Sequence, residues 1–189
     1  MNLRNGASYK GNFKNGKYSG KGTQTLPDGS KYEGNFQNGQ YHGLGKLTKP
    51  SGEKITADFK NGEMQNNGKG KIEYTDGSKF TGNLKDGIAH VGIKSWKSGN
   101  EYRGLFKNSM PHGRGALTYK DGSLYKGAFR KGLPHGTGKK NFDNGNKYTG
   151  FMKEGKFHGK GIFTWTHGRK YKGDFKNGEF NGKGEDTEK

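Results

Sequence analysis

The chain repeats itself about every 23 residues, and no other feature constrains its fold as tightly. One period runs from Tyr125 to the next copy at Tyr148, YKGAFRKGLPHGTGKKNFDNGNKY. With the first Tyr as position 0, Gly falls at +2, +7, +11, +13 and +20, Phe129 at +4, His135 at +10 and Phe142 at +17. Copies begin at Tyr9, Tyr32, Ile55, Phe80, Tyr102, Tyr125, Tyr148 and Tyr171, at spacings of 23, 23, 25, 22, 23, 23 and 23. A repeat this short cannot enclose a core by itself, so each copy must bury its apolar face against its neighbours. We therefore read residues 1–184 as one array, partial at both ends, with Leu3 and Gly6 at the +17 and +20 positions of an earlier copy. Residues 185–189, EDTEK, form a charged tail.

Each copy carries two turn signals, which divide it into two short strands. The first is Asn-Gly or a relative of it: Asn15-Gly16, Asn38-Gly39, Asn61-Gly62, Asp86-Gly87 and Asn177-Gly178, with Lys131-Gly132, Glu154-Gly155 and Asn108-Ser109 as weaker versions. Type I′ hairpin turns need positive φ at both central residues, and Asn-Gly suits them best. The second signal is Asp28-Gly29 and its equivalents at Ser51, Asp76, Ser98, Asp121, Asn144 and His167. No window shows a helical period, and Gly recurs too often for helices at about 1 kcal/mol lost per Gly.

Strand alternation assigns the faces. Positions 0, +2 and +4 read aromatic, Gly, aromatic on one face: Tyr9 and Phe13, Tyr32 and Phe36, Tyr102 and Phe106, Tyr125 and Phe129, Tyr171 and Phe175, with Tyr148 opening its copy in the same way. Positions +11, +13, +15 and +17 place two Gly, an apolar residue and an aromatic on that face, where rings are expected to fill the hollows left by Gly. Of 24 aromatics, 13 lie at 0 or +4, 6 at +15 or +17 and 4 at +9, which leaves Phe151 alone out of register. The fold class expected is all-β, an elongated single-layer array of stacked antiparallel hairpins. About sixteen strands at roughly 4.8 Å would make a ribbon on the order of 75 Å long.

The opposite face carries the charge. Lys or Arg stands at +1 (Lys10, Arg103, Lys126, Lys172), at +12 (Lys21, Lys69, Arg114, Lys160, Lys183) and at +14 (Lys46, Lys71, Lys139), so that stacking would align them as a ladder. With 35 Lys and Arg against 17 Asp and Glu, the net charge of +18 favours anionic partners. Tyr18, Tyr41, Phe157 and Phe180 at +9, beside the turn, are the candidate exposed contact rings.

The motif YxGxFxxGxxHGxG at this spacing closely resembles the MORN (membrane occupation and recognition nexus) repeat over nearly the whole chain. The resemblance implies a rod of β-hairpins used as a scaffold, found in membrane-junction, ciliary and cytoskeletal proteins. It also implies that chemistry in the family's enzymes sits in a separate domain. The third and fourth copies depart from the pattern. Ile55 and Ala57 replace Tyr and Gly, two residues are added around Gln65-Asn66, and Leu84 and Val91 stand where Phe and Gly are expected. A change of twist or a bulge is expected there.

No catalytic set emerges. The carboxylates Asp28, Asp76, Asp86 and Asp121 are turn residues, and no helix follows the Gly pairs to make them phosphate loops. His42, His90, His112, His135 and His158 share +10 with Ser19, Asn67 and Asn181. Copies two strands apart stand about 10 Å from one another, too far to share a metal ion, so these residues are read as hydrogen-bonding fasteners. No cofactor or metal is expected. Cysteine is absent, and no stretch resembles a secretion signal or membrane span. The expected protein is cytoplasmic, with possible cytoskeletal or membrane association. Its expected partner is a protein, an elongated one such as a helix lying on the sheet. Self-association through ends or edges and binding to acidic, phosphoinositide-type membranes are the alternatives, as is a regulatory array belonging to a larger enzyme. The aromatics are consumed by stacking on the face away from the charge, which argues against nucleic acid.

Overall fold

The computed structural model describes residues 6–65 and 68–187, with the side chain of Lys183 excepted. Leu3, Asn66 and Asn67, and the side chain of Lys183, thus lie outside the described residues. The described chain forms seventeen strands and two compact units, 1–90 and 91–189. Sequence neighbours pair antiparallel, hairpin after hairpin.

In the first unit β1 (Ser8–Lys14) pairs with β2 (Lys17–Thr25), β2 with β3 (Lys31–Gln37), β3 with β4 (Gln40–Thr48), and β4 with β5 (Lys54–Lys60). The partner of β5 is broken into β6 (Glu63–Met64) and β7 (Lys69–Glu73), and β7 pairs with β8 (Lys79–Lys85). The expected irregularity of the third copy is this interrupted strand. The unit boundary falls within β9 (Ile88–Ser95), in the fourth copy.

In the second unit the Val91–Ser95 part of β9 pairs with β10 (Glu101–Lys107). The series continues through β11 (Met110–Thr118), β12 (Leu124–Arg130), β13 (Leu133–Asn141), β14 (Lys147–Lys153), β15 (Lys156–Thr164), β16 (Lys170–Lys176) and β17 (Glu179–Thr187), each paired with the next.

All eight first turns have positive φ at their first central residue, from Asn15 at 50° to Asn177 at 54°, followed by Gly or, in one case, by Ser109 at 59°. This is the type I′ pattern, and Lys131 and Glu154 adopt it at φ 51° without help from an Asn side chain. Four of the second turns, at Asp28, Asp76, Asp121 and Asn144, are closed by Asx geometry. The amide of Ser123 donates to the Asp121 carboxylate at 2.8 Å, as Ser30 does to Asp28 and Ser78 to Asp76.

The core is a row of tyrosines folded flat onto glycines. Tyr32, Tyr102, Tyr125 and Tyr148 are fully buried, and in each regular copy a Cβ on the +2 or +13 Gly would strike the ring of its own Tyr. Each Tyr hydroxyl donates to the +3 carbonyl, as Tyr148 does to Phe151 at 2.8 Å. The ring therefore lies along its hairpin over the paired Gly, with the +4 ring of the next copy at its edge: Tyr102 to Phe129 at 4.7 Å, Tyr148 to Phe175 at 5.0 Å.

One role differs from the sequence reading. Gly at +11 was expected to make a hollow for a ring, but no ring packs there, and what approaches is the +3 side chain, as Leu105 does at Gly113. Gly113 has φ 66° and Gly159 φ 59°, and the register slips by two residues just there, between Gly104↔Gly115 and Leu105↔His112. Gly is needed at +11 for a left-handed bulge, and at +13 for close approach. The bulge belongs to every regular hairpin rather than marking the irregular ones. Val91 is the exception, and its copy is the one that lacks a residue at this point.

Candidate functional site

The bulges and the flat tyrosines leave a groove on the charged face. Because Gly at +2 and +13 turn their open side toward the Tyr, the opposite face shows bare backbone at each Gly pair. On either side stand two rows of outward side chains. One row alternates +1 and +14, as in Lys126↔Lys139, and the other alternates +3 and +12, as in Arg114↔Ala128. The hollows between the rows are lined by Lys10, Lys21 and Leu44 in the first unit. In the second they are lined by Arg114, Lys126, Ala128, Thr137, Lys139 and Thr149, and further on by Lys160, Ile162 and Lys172.

The cations do not form the even ladder expected. Glu33 stands in the first-unit row and takes Lys46 at 2.9 Å and Lys31 at 3.0 Å. Hydrogen bonds from Lys46, then Lys31, hold its carboxyl below the usual range. Near the far end of the second unit Lys172 meets Glu185 at 3.4 Å and Lys160 approaches Asp174 at 3.9 Å. Lys69 and Lys71 stand exposed on β7 opposite Asn83 and Thr81. Arg103, Arg114, Lys126 and Lys139 occupy four consecutive strands, β10 to β13, and no ion pair engages any of them among the described residues. Lys126 and Lys139 even face each other directly, a like-charge pairing that destabilises a sheet.

Sequence reasoning missed the apolar residues on this face. Leu105 is 44% exposed, Phe151 37% and Ile162 38%. They sit at +3 and +14, among the charges and outside the aromatic pattern, so Phe151, the one out-of-register aromatic, was the signal available.

The +9 rings prove to be part of the stack. Tyr18, Tyr41 and Phe157 lie nearly parallel on Tyr9, Tyr32 and Tyr148 at 3.7, 3.7 and 3.8 Å and are half-buried. Phe180, tilted against Tyr171 at 4.5 Å, is 51% exposed. The fastener at +10 is likewise not the imidazole. The backbone carbonyl of His112 accepts from the Tyr102 hydroxyl at 3.3 Å, a bond that Ser or Asn supplies equally well, while Nδ1 of His158 is buried without a partner.

On the aromatic face Lys140 replaces the apolar residue usual at +15. Its ammonium lies 4.6 Å from the Tyr119 ring and 4.7 Å from that of Phe142, and loss of hydration lowers its pKa. Burial likewise pushes Tyr102, Tyr125 and Tyr148 up to about 12. Among the described residues no three His, Asp or Glu side chains converge as a metal site, and no helix is long and apolar enough to cross a membrane.

Comparison with solved structures gives the SAS-4 (dCPAP) TCP domain of Drosophila melanogaster, solved with a proline-rich motif of Ana2 (dSTIL), at TM-score 0.51 and 10% identity over 83% of this chain and 85% of that one. The TCP10 domain of Danio rerio CPAP, in complex with a STIL peptide, is similar at TM-score 0.40 and 14% identity over 100% and 92%. At 10% identity the likeness to the SAS-4 domain is one of fold. No curated protein sequence matches the chain. The MORN repeat model matches seven times, at residues 9–31, 32–54, 57–79, 102–124, 125–147, 148–168 and 171–185, six of them opening on a Tyr of the tyrosine row, and the chain belongs to the MORN repeat family.

Proposed function

We propose that this chain is a non-enzymatic scaffold that binds an elongated segment of a partner protein along the glycine-floored groove of its charged face. The observation that carries the reading is the groove itself. It is open and floored by backbone, and its walls mix unpaired cations with exposed Leu105, Phe151 and Ile162. Stability of the sheet asks for none of these. Charged groups without partners steer association, and exposed apolar side chains beside them supply burial on contact. The SAS-4 domain, solved with its proline-rich motif, supports the idea that a sheet of this fold can hold a peptide. The mixed walls favour a protein segment over a lipid surface, to which charge alone would suffice.

The test is site-specific photo-crosslinking in the protein's native cells. A crosslinking residue at Thr137 or Thr149, in the groove, should give a discrete protein adduct that excess unmodified protein competes away, while the same residue at Phe142 on the aromatic face should not. Equal adducts at both faces, or lipid adducts in place of protein ones, would refute the reading.

A further inference from the structure

We propose that the groove between β10 and β15 is the docking surface for an acidic amphipathic helix of about sixteen residues in the partner protein, an inference that rests on the scaffold reading above. Four cations stand one per strand on β10, β11, β12 and β13: Arg103, Lys126 and Lys139 share the +1/+14 row, where Ala116 takes the β11 place, and Arg114 stands across the groove in the +3/+12 row, followed by Ala128 and Thr137. Glu101, two residues from Arg103 on β10, accepts instead from the Ser95 hydroxyl at 3.3 Å, and the carboxylates that do pair with groove cations lie elsewhere, Glu33 in the first unit and Asp174 and Glu185 on β16 and β17.

Strand spacing sets the pitch of this cation series at roughly 4.8 Å. A helix lying across the strands presents side chains at i, i+3, i+7 and i+10 along one stripe, and with a rise of about 1.5 Å per residue its successive stripe members are on average about 5 Å apart. Along the +1/+14 row, carboxylates at i, i+7 and i+10 of one helical stripe therefore match Arg103, Lys126 and Lys139, with i+3 over Ala116, and a carboxylate on the adjoining stripe meets Arg114 across the groove. An extended peptide running the same way advances about 3.3 Å per residue and shows a given face only every second residue, close to 6.6 Å, so it falls out of step.

The apolar residues bracket the charges. Leu105 on β10 stands at one end, and Phe151 on β14 and Ile162 on β15 at the other. From β10 to β15 is about 24 Å, the length of about sixteen helical residues. The matching segment thus carries an apolar residue at each end and acidic residues in its middle. Against the bare Gly backbone a helix can lie close, because no side chain rises from the floor between the two rows.

The probe is a stapled, fluorescently labelled helical peptide with Glu along one stripe and Leu at both ends, titrated by anisotropy into the full chain. The controls are its sequence scramble and a proline-rich peptide of equal charge. The striped helix should bind at least about tenfold more tightly than either control. Lys126→Glu with Lys139→Glu should weaken it by about tenfold or more, and a Lys-striped version of the peptide should restore binding to that variant. Reversal of Lys10 and Lys21 in the first unit should matter far less. All four substituted positions are exposed, and unchanged circular dichroism will establish that the variants fold. Equal binding of the scramble, tighter binding of the proline-rich peptide, equal effects of reversal in both units, or no binding at all would overturn the helix assignment. The crosslinking experiment reports separately on whether the groove holds any protein.

Discussion

Replacing Gly161 by Ala tests the tyrosine row at a place where a ring lies directly against the backbone. A Cβ there would lie 2.6 Å from the Tyr148 hydroxyl oxygen, 2.7 Å from Cε2 and 2.8 Å from Cζ. All are closer than carbon atoms tolerate, and two belong to the rigid ring, so Tyr148 must leave its seat. It is fully buried, donates to the Phe151 carbonyl at 2.8 Å, carries Phe157 stacked at 3.8 Å and meets Phe175 edge-on at 5.0 Å. Loss of the hydrogen bond costs about 1 kcal/mol, and partial loss of ring burial brings the total to about 3 kcal/mol, at the lower edge of the range for removing a buried aromatic outright. Gly159→Ala is the comparison. There φ is 59°, the nearest atom is Phe151 Cβ at 3.9 Å, and only backbone strain of about 1 kcal/mol applies. Urea unfolding followed by circular dichroism measures both. With Tyr148→Ala in the background, Gly161→Ala should become nearly neutral, a coupling of about 3 kcal/mol. If Gly161→Ala costs no more than Gly159→Ala, or keeps its full cost without the ring, the packing account is wrong.

Lys131→Asn and Glu154→Asn should each stabilise by about 0.5 kcal/mol, because Asn tolerates the left-handed conformation held at φ 51°; a lower unfolding midpoint would contradict the turn assignment. Tyr102, Tyr125 and Tyr148 titrate at about 12 in the fold against 10.0 ordinarily. Their neutral forms are favoured by folding, so this stability is complete below pH 10 and is lost as pH rises through 12. Tyrosinate absorbance should show a late-ionising group of tyrosines whose titration coincides with loss of strand signal, and uniform ionisation near 10 would refute this. Lys140→Leu should raise stability by about 0.5 kcal/mol, since apolar burial outweighs a cation–π contact between Tyr119 and Phe142; a clear loss in the melting curve would show that the contact dominates.

The fold was legible because its determinants are local and repeated. Type I′ turns require Asn-Gly or its relatives, and alternation sorts Tyr and Phe from Lys at every strand. The different jobs of Gly159 and Gly161 were not legible, since both are Gly and only the register slip separates a bulge from a close approach. The +10 residues misled for a related reason. What the fold uses there is the carbonyl of His112, which no side-chain pattern reveals. At the site, the cations were readable one by one, but their neutralisation was not, because Glu33 and Glu185 become neighbours of Lys46 and Lys172 only through cross-strand register. Phe151 stood out of pattern, yet only the structure sets it opposite Thr137, on the charged face and on the strand next to the one that carries Lys139.

The most direct test of the groove is an NMR titration of the isotopically labelled full chain with the Glu-striped helix. The account predicts that backbone amide shifts concentrate at Arg103, Leu105, Arg114, Lys126, Lys139, Phe151 and Ile162 and saturate together, with Tyr119, Phe142 and Trp165 on the aromatic face unmoved. Shifts centred on that aromatic row, or spread evenly over every Lys and Arg of the chain, would contradict it.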